Sequence, residues 1–175
     1  MLKASLYRRS AAVAEASFLW SRSPSARSMP VEAVFEHVGE ELFVTEWRRV
    51  DRAHLDQFHW STDSTPEASD TSTNALFPRG ADNIDGIMVL SLVQAGFFNN
   101  YPFWSPGTIS FNYGFDRVRF PSTVYLEDEL RLRVTLAEAA HKPSGTFMRN
   151  AVTMEVKGRE KPALVAEFLV LAAKA

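Results

Sequence analysis

Asp85-Gly86-Ile87-Met88-Val89-Leu90-Ser91-Leu92-Val93-Gln94-Ala95-Gly96-Phe97-Phe98 is the stretch on which the fold turns. Its apolar residues run almost all the way round a helical wheel, as expected for a helix buried on several sides. Asp85 stands where an N-cap would accept from the helix's unpaired amides, and an acid there is favoured by the positive helix end. Asn99, Asn100 and Pro102 stop the helix, and Pro106-Gly107 marks a turn.

Downstream the apolar spacing changes to the alternation of strands. Thr108 to Arg119 alternates in places, and Leu130-Arg-Leu-Arg-Val-Thr-Leu136 alternates cleanly, as a half-exposed strand should. His141 to Gly145 reads as a turn, Thr146 to Val156 as the next strand, Lys157-Gly158-Arg159 as a tight connection and Ala163 to Ala172 as a last apolar strand. Upstream, Phe43 to Val50 reads as a strand. Asp51 then caps a short helix carrying Leu55 and Phe58, which ends near Trp60. Ser61 to Pro78 is polar and long for a loop, and loops of that length are usually functional or disordered. One buried helix followed by four sequential antiparallel strands implies an α+β layer fold.

Composition narrows the chemistry. The 175 residues suit one domain, or one domain and a tail. With no cysteine, disulfides, thiolate metal sites and cysteine nucleophiles are excluded. A net charge of −2 gives no general reason to expect nucleic acid or an anionic membrane as partner. No apolar run approaches the length that spans a bilayer, so a soluble protein is expected. Thirteen Phe and four Trp suit either a dense core or an apolar ligand channel, and the cluster from Phe97 to Trp104 fits both.

Residues 1–29 differ from the rest: basic, serine-rich and nearly free of acids, with Leu6, Val13 and Trp20 at seven-residue spacing. This N-terminal extension reads as an over-extended start before Met29, as a targeting peptide, or as a helical or disordered arm. A single domain is expected over 30–175. Its expected location is cytoplasmic, or mitochondrial if the extension is a transit peptide.

Three strings, in order, carry a family resemblance: Phe58-His-Trp-Ser-Thr-Asp63-Ser-Thr-Pro66-Glu-Ala68-Ser-Asp70, then Ile84-Asp85-Gly86-Ile-Met88, then Val118-Arg119-Phe120-Pro121-Ser-Thr-Val124-Tyr-Leu-Glu127-Asp128. Together they resemble the MaoC-like dehydratases, which include the (R)-specific enoyl-CoA hydratases. The resemblance covers roughly residues 44–172. It implies a hot dog fold, an antiparallel β-sheet wrapped around one long central α-helix. It further implies acid–base chemistry next to the carbonyl of an acyl-CoA or carrier-bound thioester, no cofactor, and a homodimer with its ligand site near the interface. Asp63 matches the family's catalytic Asp and Gly86 its oxyanion glycine. Thr65 stands at the family's Asn position, Ala68 at its catalytic His, and Asp85 at the His of its H-G turn.

Alanine cannot move a proton, so Asp63 and Asp85 are the leading catalytic candidates. Two carboxylates in one apolar cleft raise one another's proton affinity, which lets one serve as acid and the other as base. The alternative is that Asp63 caps a turn and Asp85 caps the helix. His59, four residues before Asp63, would share a face with it on a continuing helix and could replace the missing imidazole, or it is a packed residue beside Phe58. Gly86 and Thr65 are the oxyanion and substrate-binding candidates. His54 and His141 read as solvated surface, His37 has no evident partner, and the histidine spacing matches no metal site. A non-catalytic acyl-ligand-binding or scaffold protein and an acyl-CoA thioesterase are the rival functions.

Overall fold

The computed structural model describes residues 29–64 and 82–175. Thr65, Ala68 and all of the N-terminal extension except Met29 lie outside the described residues. A 3₁₀ helix over Val31–His37 is followed by β1 (Glu41–Val44), α1 (Arg52–Ser61), β2 (Asn83–Ile84) and α2 (Gly86–Asn100). Then come β3 (Thr108–Arg119), β4 (Val124–Tyr125), β5 (Leu130–Lys142), β6 (Gly145–Val156) and β7 (Leu164–Lys174). Five strands form one antiparallel sheet in the order β1-β5-β6-β7-β3, and β2 pairs with β4 in a separate ribbon.

The alternation read in β5 holds. Leu130, Leu132, Val134 and Leu136 are buried, whereas Arg131, Arg133 and Thr135 are only partly covered. A register shift between Leu136 and Glu138 ends that pattern, yet pairing with β6 continues to Lys142 opposite Gly145. The turn is therefore tighter than the expected His141–Gly145 loop. Gly145 has a φ of +138°, and a side chain there would run into the Ala172 carbonyl of β7.

The sheet packs on α2, which buries Met88, Val89, Leu92, Val93, Gly96, Phe97 and Asn100 along one broad face. Burial on several sides is thus corrected: residues 87, 91, 94 and 98 form an exposed stripe. Ser91 and Gln94 supply the polar middle of that stripe. Gln94 accepts from Asn112 Nδ2 at 2.9 Å, which ties the stripe to β3. Phe97 is fully buried, stacked on Tyr101 at 4.2 Å and edge-on to Phe168 at 4.9 Å. At this end the aromatic cluster is therefore core packing, and Phe97→Ala should cost about 3–5 kcal/mol.

The first strand also departs from expectation. β1 ends at Val44; Thr45 N still donates to the Leu132 carbonyl at 2.9 Å, and beyond it the chain returns to β5 at an isolated bridge between Arg48 and Leu130. The reason is Thr45, whose hydroxyl oxygen accepts from Leu132 N at 2.9 Å and takes an acceptor place that a ladder carbonyl would hold. Among the described residues no helix is long and apolar enough to cross a membrane.

Candidate active site

Two of the three strings meet in space. Pairing of Asn83 with Tyr125 and of Ile84 with Val124 brings the entry to α2 beside the end of the third string. Leu126 N donates to the Asp82 carbonyl at 3.0 Å, extending the join. Arg52, in the first turn of α1, forms an ion pair with Asp82 and ties α1 to the same place.

Asp85 is the N-cap of α2. Its backbone is extended (φ −61°, ψ 136°) and its Oδ1 accepts from Ile87 N at 2.8 Å. That satisfies one of the amides a helix start leaves unpaired. The Gly86 amide, first in the helix, has no acceptor among the described residues. It therefore presents a backbone N–H at the positive end of a 15-residue helix, the kind of donor that polarises a carbonyl oxygen. Gly86 is also a packing site: a Cβ there would lie 3.0 Å from Phe120 Cδ1 and 3.1 Å from its Cγ.

Asp63 sits at the end of α1. That helix stops at Ser61, and Asp63 takes a left-handed φ of 52°. Ser64 N donates to the His59 carbonyl at 2.9 Å and Asp63 N to the Trp60 carbonyl at 3.4 Å, the paired bonds of a Schellman ending. The expectation that His59 and Asp63 share a continuing helical face is corrected by this reversal. The Asp63 side chain is exposed and makes no hydrogen bond or ion pair among the described residues, and no hydrogen bond joins it to Asp85. His59 is half-buried with its ring 6.2 Å from that of Phe58.

The other histidines have structural partners. His54 Nδ1 lies 2.8 Å from Asp51 Oδ1, the same oxygen that caps α1 by accepting from His54 N. Burial opposes ionisation of Asp51, but these hydrogen bonds from His54 prevail and hold its pKa below the usual aspartate value. His37 Nδ1 lies 2.7 Å from Glu40 Oε2, a partner the sequence did not reveal. His141 packs on Phe35 at 4.1 Å between centroids. Among the described residues no group of three His, Asp or Glu could hold a metal ion.

Asp128, in the third string, is structural, a role that its place in the string does not announce. Its Oδ2 accepts from Tyr125 N at 2.9 Å and its Oδ1 from Arg159 Nη2 at 2.6 Å. Arg159 also donates to the Thr123 carbonyl at 2.8 Å, and Ser122 to the Pro162 carbonyl at 2.9 Å. These bonds fix the loop that carries Phe120. A second ionic cluster joins Arg149 to Asp116, Glu138 and Glu167 across β3, β5, β6 and β7. Hydrogen bonds that Arg149 donates to Asp116 and Glu167 raise its pKa, and the cluster reads as a cross-strand brace.

No protein-family model matches this chain. Nodulation protein N of Rhizobium leguminosarum bv. viciae is 30% identical over 141 residues, covering 77% of this chain and 85% of the relative. A 3-hydroxyacyl-thioester dehydratase Z of Mycobacterium tuberculosis is 28% identical over 138 residues, covering 75% of this chain and 88% of that protein. In structure, the R-hydratase PhaJ1 of Pseudomonas aeruginosa superposes with a TM-score of 0.59 at 21% identity, covering 85% of this chain and 88% of the other. The hot dog fold and the MaoC-like resemblance are borne out. This chain belongs to the nodulation protein N family, built on the hot dog fold of the MaoC-like dehydratases and (R)-hydratases.

Proposed function

We propose that this chain is a hydratase or dehydratase of an acyl thioester, on acyl-CoA or a carrier-bound equivalent. The observation that carries this reading is the Gly86 amide, which has no acceptor among the described residues at the start of α2. In the dehydration direction a base takes the proton from the α-carbon, and charge builds on the thioester oxygen, where the Gly86 N–H stabilises it. An acid then protonates the β-hydroxyl, which leaves as water. Asp63 and Asp85 are assigned these two roles, Asp85 through the oxygen that does not cap the helix. Support for Asp63 comes from its position. Asp is a poor choice beside the negative end of a helix and at positive φ, where Gly or Asn is the usual residue. Such local rule-breaking concentrates at functional sites. His59 and Thr65 complete the set as an auxiliary imidazole and a substrate contact. The similarity to a 3-hydroxyacyl-thioester dehydratase supports the substrate class.

A homodimer is part of the reading. Among the described residues β3 has a paired neighbour, β7, on one side only, and it exposes Ile109, Phe111 and Tyr113. A long apolar edge strand invites pairing with another chain. A cytoplasmic location also belongs to it, since the relatives are bacterial. An acyl-binding protein without turnover is the second reading, favoured by the engagement of Asp85 as a cap.

The test is to incubate the full chain with trans-2-enoyl-CoA of several lengths, follow loss of the conjugated double bond, and analyse the product. A 3-hydroxyacyl product is expected. Binding without conversion would replace this reading by the second, and free thiol would point to a thioesterase.

A further inference from the structure

Three exposed apolar residues lie near Gly86 in the fold. Phe120 is 42% exposed, Ile87 57% and Tyr125 38%. Phe120 packs on Gly86, Ile87 follows Gly86 in the chain, and Tyr125 pairs with Asn83 across the β2–β4 ribbon that leads into α2. Exposed apolar groups gathered at one place mark a contact surface. Of the three, Phe120 meets Gly86 across the open space above its Cα. A Cβ on Gly86 would lie 3.0, 3.1 and 3.2 Å from Cδ1, Cγ and Cε1, three consecutive ring atoms. Gly86 is helical and does not have a positive φ, so its backbone does not demand glycine. The ring does. Its loop is held from the β6–β7 side by the Ser122 and Arg159 bonds, so the ring is a supported wall.

We propose that Phe120 is a specificity-determining residue, the wall that limits how bulky an acyl group may be beside the carbonyl that meets the Gly86 amide. The inference rests on the thioester reading above. A carbonyl accepting from Gly86 N–H brings its α-carbon close to the ring. A straight chain lies along the ring face, and a branch at the α-carbon collides with it.

Two measurements test this, neither needing turnover. The first is a thermal-stability cycle of Gly86→Ala, Phe120→Ala and the double variant. The methyl should lower the melting temperature when the ring is present and leave it unchanged or raised when the ring is gone. Strict additivity would overturn the coupling of ring and glycine. The second is calorimetric binding of butanoyl-CoA and 2,2-dimethylpropanoyl-CoA to the unaltered chain, Phe120→Leu and Phe120→Ala. The unaltered chain should prefer the straight acyl group by about tenfold or more, the scale on which an apolar pocket senses an added carbon. Phe120→Ala should erase most of that preference, with Phe120→Leu between. An equal preference in all three would overturn the role of Phe120 and leave the thioester reading standing. Failure of the unaltered chain to bind either thioester would remove both.

Discussion

Asp128 and Arg159 are joined by a 2.6 Å hydrogen bond between the β4–β5 and β6–β7 connections, with Asp128 only 9% exposed. Asp128 is thus the clasp that closes the ribbon beside α2 onto the main sheet. Asp128→Ala leaves Arg159 and the Tyr125 amide without this acceptor. It should cost about 2–3 kcal/mol in urea unfolding, below the figure for a fully buried pair because Arg159 is partly solvated. Asp128→Asn, which can still accept from the Tyr125 amide, should cost less.

Burial pushes the Tyr101 hydroxyl pKa well above its ordinary value, a nearby Asn150 only partly opposing this, and the hydroxyl donates to Met148 Sδ at 3.1 Å. The folded state therefore holds this proton more tightly than the unfolded chain. Its contribution is intact below the ordinary tyrosine pKa of about 10 and is lost as pH rises beyond it. Thermal midpoints should fall above about pH 10, and Tyr101→Phe should flatten that decline.

The edge of β3 away from β7 gives a test of assembly. Phe111→Asp places a charge among the exposed apolar residues of that strand, which should convert a dimer to a monomer in sedimentation equilibrium. The far-UV spectrum should not change, since Phe111 is not in the core. A chain that is already monomeric at micromolar concentration would contradict the pairing.

What the sequence could disclose follows the range of the interactions. The Asp85 cap, the end of α2 before Pro102 and the alternation of β5 are local patterns, and each is found where the residues imply. The strand misplaced at Phe43–Val50 failed because a side-chain bond from Leu132 N to Thr45 Oγ1 replaces a ladder bond, and no propensity encodes that. Asp63 misled for a related reason: a left-handed helix ending is announced by Gly or Asn, and here Asp takes the place. Contacts such as Phe120 on Gly86 and Arg159 on Asp128 link residues far apart in the chain. The third string marked where these partners lie but not that they hold each other.

Asp63→Asn is the most direct measurement of the acid–base chemistry. Asn is at home in the left-handed helix-ending position and removes a negative charge from the negative helix end, so the fold should be kept or stabilised by a few tenths of a kcal/mol. Turnover of an enoyl-CoA by this variant should fall about a hundredfold or more, the usual contribution of a positioned acid or base, with the melting temperature unchanged or higher. Full turnover in Asp63→Asn would contradict the assignment of the proton transfer to this carboxylate.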